Sequence, residues 1–212
     1  MAVERDIVII GCGPGSRDYL TPAAIKAARD ADLLVGAQRL LNLFSDSAAQ
    51  RIMVAGGIQE ALDKMEATPG IRRVAVLVTG DPGLFSFAKL VIKRFGRDRC
   101  RIIPGISSVQ EAFARIALDW EDARIISAHK ENPEAALDLS DAEKIAVLCG
   151  REGSLQWVAE RLSHSDAASK IFVCQNLTLE SEHVTEVTVE ELTDLQASSR
   201  TIVLIIRRSL LA

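Results

Sequence analysis

Short runs of β-branched and aliphatic residues alternate along this chain with longer stretches whose apolar positions recur every three or four residues. The run 6–10 (Asp-Ile-Val-Ile-Ile) ends at glycine and predicts a strand buried on both faces, as parallel strands are. Thr21 and Pro22 then predict a helix start. Thr21 is a natural N-cap, and Pro22 stands at the first helical position, where its missing N–H is not needed. Further strands are predicted at 33–35, 51–54, 73–79 and 101–103. Helices are predicted between them at 37–43, 58–67, 85–95 and 107–117. Strand and helix alternation of this kind predicts an open, mostly parallel sheet with helices on both faces.

The polar stretch 118–122 (Leu-Asp-Trp-Glu-Asp) interrupts this pattern, and a second set of elements follows. Strands are predicted at 123–127, 145–149 and 170–174, with a short helix around Glu134 and a longer one at 154–162. The strand-like runs 183–189 and 201–206 leave only 190–195 between them. That is too short for a full crossover helix, so antiparallel pairing is expected at this end. The chain is therefore expected to be α/β, with residues 1–117 and 118–212 as two domains, the second with a mixed sheet.

Composition narrows the function. Apolar residues are 48% and charged residues 25% of 212, so an ordinary core is available without staples. Aromatic residues are only 4% and the net charge is −4, which argues against a nucleic-acid partner. The cysteines stand apart at Cys12, Cys100, Cys149 and Cys174, with no metal-ligand spacing, and no metal is expected. Apolar stretches are far too short for a membrane span, and no signal peptide is visible. A cytoplasmic protein with reduced thiols is expected.

Three glycine-bearing loops follow predicted strands. Gly11-Cys-Gly-Pro-Gly15 is tempting as a dinucleotide fingerprint and fails as one. Ser16 or Asp18 stands where the third glycine belongs, and no acid ends the second strand. Gly80-Asp-Pro-Gly-Leu84 follows the strongest strand, where open α/β sheets bind ligands. Its Asp81 could meet a cationic group, or the string could be a plain β-turn. Pro104-Gly-Ile-Ser-Ser108 opens a helix, with serines that serve as caps or as ligand contacts. In the second domain, His129-Lys130, Cys149-Gly-Arg151 and Gln175-Asn-Leu-Thr178 end successive strands. His164 and His183 have no partner pattern. No Ser/His/Asp elbow and no Gly-Lys-Ser/Thr loop occurs.

With Leu20-Thr-Pro22, these three loops resemble the tetrapyrrole (corrin and porphyrin) methyltransferases, in order and over nearly the whole chain. The strings 104–110, 113–115 and 120–124, with Asn176-Leu-Thr178 and Glu190-Glu-Leu192, resemble the cobalt-precorrin-7 (C5)-methyltransferase branch of cobalamin synthesis. The resemblance implies two α/β domains with S-adenosylmethionine in the cleft between them, and a homodimer. It implies Pro14, Gly80, Asp81, Leu84, Ser107, Ser108, Cys149 and Leu177 as cofactor contacts. The chain departs from the pattern at Ser16, where relatives often have Asp, and at Gln175, where many have Glu. A C15-methylating, decarboxylating partner is expected as a separate protein.

Methyl transfer from a sulfonium is an in-line displacement, so the protein mainly aligns and desolvates. An electron-rich tetrapyrrole carbon needs no protein nucleophile. His129 is the residue whose type exchanges protons near neutrality, as a proton acceptor or as a carboxylate contact. Arg17, Lys89, Arg115, Lys130 and Arg151 are candidates for binding the carboxylates of a corrinoid substrate. A sister methylase of another ring position, a methylase of RNA or a diphthamide precursor, and a non-catalytic ligand-binding module remain open at this stage.

Overall fold

The computed structural model describes residues 5–55, 57–129, 133, 142–162 and 168–211. The expected short helix at Glu134, with Lys130 and His164, lies outside the described residues. The chain forms two compact units, one up to Ser107 and one from Ser108 onward.

The first unit holds five strands: β1 (Asp6–Gly11), β2 (Leu33–Gly36), β3 (Gln50–Met53), β4 (Arg73–Val78) and β5 (Cys100–Ile103). All pair in parallel, in the order β3-β2-β4-β1-β5. Alternation along the strands sends side chains to two cores. Val8 and Ile10 pack with α1 (Pro22–Arg29) and α2 (Gln38–Asn42) on one face. Ile7 and Ile9 pack with α3 (Ile58–Ala67) and α4 (Ala88–Phe95) on the other. Burial on both faces is why the inner strands β1, β2 and β4 read as unbroken apolar runs, while the edge strands β3 and β5 keep exposed residues. From β1 the chain crosses toward β2, and from β4 it crosses the opposite way toward β5. The neighbours β1 and β4 therefore diverge at their C-terminal ends, which makes a topological switch point.

The second unit begins with α5 (Ser108–Arg115), which packs on the last strand of its sheet. The sheet orders β6-β7-β10-β8-β9. Its strands are β6 (Arg124–Ser127), β7 (Lys144–Leu148), β8 (Ser169–Gln175), β9 (His183–Val187) and β10 (Thr201–Arg207). β6 and β7 are parallel and the remaining pairs are antiparallel. α6 (Ser154–Leu162) and α7 (Val189–Asp194) cover one face through Leu155, Val158, Leu162 and Leu192. The two late strands do not pair with each other. β8 lies between them and pairs antiparallel with both, and α7 supplies a short crossover.

Two helix bounds differ from the periodicity for a local reason. Phe85 has a left-handed φ of 44°, so helix geometry cannot run through it, and α4 starts only at Ala88. Ser86 makes the entry, its hydroxyl donating to the Pro82 carbonyl and accepting from the Ala88 N–H. α5 stops at Arg115 because Ala117 is left-handed (φ 53°). Leu118 and Ala117 donate back to the Phe113 and Ala114 carbonyls, a Schellman closure made without glycine.

Candidate functional site

The loops after β1 and β4 meet at the switch point and are stitched together there. Gly80 donates its N–H to the Gly13 carbonyl at 2.8 Å, and Gly13 returns the bond to Gly80 at 3.3 Å. The loop after β5 joins them so closely that side chains are excluded. A Cβ on Gly11 would lie 2.5 Å from the Gly105 nitrogen and 2.7 Å from the Gly80 carbonyl oxygen. A Cβ on Gly105 would lie 2.5 Å from that same oxygen. Three main chains pass where one methyl would not fit.

Asp81 ties two of these loops, its own and the one after β5. Its Oδ1 accepts the Gly83 N–H at 2.7 Å and its Oδ2 accepts the Gly105 N–H at 3.1 Å. The carboxylate thus fixes its own turn and anchors the loop after β5. Pro14 and Gly80 are buried, Asp81 and Leu84 are half-buried, and Phe85 is 55% exposed. Phe85 is thus a large apolar ring at the surface, on left-handed backbone directly beyond a switch-point loop. Ser107 is buried at the end of the first unit, and Ser108 opens α5. Of the expected cations here, Arg17 sits in a 3-10 turn and pairs with Asp46 at 3.5 Å, both half exposed. Lys89 is exposed on α4.

In the second unit, the residues after β6, β7 and β8 come to one edge of the sheet, beside the start of β10. Cys149 donates its N–H to Thr201 and Asn176 donates to Arg200. His129, after β6, is exposed, and its Nδ1 lies 3.1 Å from the Cys149 carbonyl. A carbonyl only accepts, so Nδ1 carries the proton in the neutral ring and Nε2 keeps its lone pair. Gly150 (φ 128°) makes room for this ring, since a Cβ there would come within 2.7 Å of Nδ1. Arg151 donates to the Glu152 carbonyl at 2.9 Å. Leu177 is buried at 3% exposure, so its side chain packs inside rather than facing solvent. Arg115 reaches the same loop through Glu182, whose carboxylate it grips at 2.5 and 2.9 Å.

The thiols are not chemical groups of this site. Burial pushes Cys12, Cys149 and Cys174 up to about 12, far from a nucleophilic thiolate. No group of His, Cys, Asp and Glu among the described residues could hold a metal.

The model of the family "Tetrapyrrole (Corrin/Porphyrin) Methylases" matches residues 6–193. The chain belongs to this family. Among relatives of this tetrapyrrole methylase is a protein of Methanocaldococcus jannaschii named probable cobalt-precorrin-7 C(5)-methyltransferase. It is 34% identical over 194 residues, covering 88% of this chain and 90% of that protein. The cobalt-precorrin-7 C(5)-methyltransferase of Salmonella typhimurium is 28% identical over 179 residues, covering 84% and 88%. The fold of this methylase matches the uroporphyrin-III C-methyl transferase of Thermus thermophilus, solved with S-adenosylhomocysteine. The TM-score is 0.77 at 16% identity, over 95% of this chain and 97% of that one.

The sequence does not mark Gly105 and Gly150 as packing requirements, nor Glu182 as part of the site. Glycines beside strand ends were the available signal for the first two. Glu182 had none, because its partner Arg115 lies 67 residues away.

Proposed function

We propose that this tetrapyrrole methylase transfers a methyl group from S-adenosylmethionine to C5 of a cobalt-precorrin-7 corrinoid in cobalamin synthesis. The observation that carries the reading is the stitched switch point, in a chain whose relatives bear that activity in their names. The residues fit the cofactor in kind. Glycine loops bring main chain close, and Leu84 and Phe85 offer an apolar surface for an adenosyl group. Pro14, Gly80, Asp81, Leu84, Ser107, Ser108, Cys149 and Leu177 are the proposed contacts.

When bound, S-adenosylmethionine supplies an electrophilic methyl group and leaves as the neutral thioether. The chain's own part is alignment and exclusion of water. Asp81 holds the loop geometry through the Gly83 and Gly105 amides. A methylated ring carries one extra positive charge until a proton departs, and Nε2 of His129 is the proposed acceptor. Arg17, Lys89, Lys130 and Arg151 are proposed for the substrate carboxylates. A homodimer in the cytoplasm completes the proposal. No helix among the described residues is long and apolar enough to cross a membrane.

Incubation with methyl-labelled S-adenosylmethionine and a corrinoid intermediate, read by product mass and fragmentation, tests the whole reading. One methyl at C5 is the expected result. A methyl elsewhere on the ring makes this a sister methylase, and cofactor binding without turnover makes it a binding module. For His129, replacement by Ala should lower kcat by about 10²-fold or more with cofactor affinity unchanged. An unchanged kcat removes it from the chemistry.

A further inference from the structure

The loop after β8 holds two residues in the left-handed region, which asparagine tolerates and a Cβ-branched threonine disfavours. They are Asn176 (φ 51°) and Thr178 (φ 68°). The threonine angle persists only where the surroundings impose it. Here the surroundings are ionic. The Glu182 carboxylate accepts the Thr178 N–H at 2.5 Å. Arg115 grips that carboxylate with two parallel bonds, Nε to Oε1 and Nη2 to Oε2. Its Nη1 pairs with Glu111, one turn back on α5 and only 5% exposed. A planar fork held by carboxylates on two sides has a fixed orientation. The loop closes on this anchor. Leu179 donates to the Asn176 carbonyl, and Glu182 donates to the Leu179 carbonyl. Leu177 stands in the middle. Its own N–H and carbonyl have no partner among the described residues.

We propose that Arg115 is a positioning residue, which acts through Glu182 to set the pose in which Leu177 presents its main chain to S-adenosylmethionine. What the loop binds rests on the cofactor reading above. How the loop is held does not. By sequence alone Arg115 is a candidate cation for substrate carboxylates. The structure gives all three of its guanidinium nitrogens to carboxylates of its own unit, one from a helix and one from the loop.

The test compares the full chain with Arg115→Ala, Arg115→Lys, Glu182→Gln and the double variant Arg115→Ala/Glu182→Gln. Two quantities are read: amide hydrogen exchange at Thr178, and S-adenosylhomocysteine affinity by calorimetry. Arg115→Ala should exchange Thr178 about tenfold faster or more, and bind about tenfold more weakly. Glu182→Gln keeps the shape and loses the charge, so it should move both in the same direction. It also carries the test if Arg115→Ala does not fold. Lysine restores charge without the fork and should recover only part of the loss. The double variant should be no worse than Arg115→Ala, because both act on one loop. Unchanged Thr178 exchange in Arg115→Ala overturns the proposal. So do losses that add in the double variant. So does a raised substrate KM with cofactor affinity intact, which would return Arg115 to substrate recognition. A wild-type protein that binds no S-adenosylhomocysteine retires the cofactor reading alone, and the exchange data still decide what Arg115 holds.

Discussion

Gly11 and Gly105 show how a motif can be legible while its reason is not. Both sit in loops that the sequence marks as ligand-facing, and bare backbone suggests close approach of a ligand. In the structure the close approach is of one main chain to another, across residues distant in sequence. Gly105→Ala must push the three loops apart, and should cost about 1–3 kcal/mol of stability in a urea titration. Asp81 is similar. It is readable as an acid in a turn, but its bond to the Gly105 amide spans 24 residues. Asp81→Ala leaves that amide and the Gly83 amide without their acceptor, and should weaken S-adenosylmethionine binding in calorimetry by about tenfold or more. A retained affinity would take Asp81 out of the site. Raised thiols give a third check. Iodoacetamide at about pH 8 should leave Cys12, Cys149 and Cys174 unmodified in the native protein. Cys100 is less buried and should react first.

At the scale of elements, the buried parallel strands were the easiest to read, because burial on both faces leaves no polar position to confuse the period. Helix ends were harder. α4 and α5 are bounded by left-handed Phe85 and Ala117, residues that carry no turn signal of their own. The order of the late strands was not legible at all. Whether β8 separates β9 from β10 depends on pairings far apart in sequence, which composition does not encode. Local signals were reliable at Thr21, whose hydroxyl accepts the Ala24 N–H at 3.1 Å as the cap of α1, but the cap at Thr188 is hidden inside the strand-like run 183–189. Thr188 and Glu191 form a reciprocal capping box on α7, whose Leu192 is fully buried in the second core. Thr188→Ala should destabilise the protein by about 1 kcal/mol in denaturant unfolding.

For the whole molecule, paired carboxylates set the response to acid. Asp32 is held below its ordinary range by Arg73, Asp119 by Lys144 and Glu182 by Arg115. Each of these pairings stabilises the fold fully above the ordinary carboxylate range. Each loses its contribution as pH falls through that range to the depressed folded-state value. The melting temperature should therefore be flat near neutrality and decline below about pH 5. A decline that begins well above that pH would assign the acid response to other groups. The order of strands in the first sheet also has a consequence for synthesis. β1 pairs with β4 and β5, so Asp6 must wait for Arg73 and Ile7 for Cys100. At ribosomal speed that wait is on the order of seconds, during which an apolar strand has no neighbour. The nascent chain thus carries β1 unpaired until the centre of its sheet has been made.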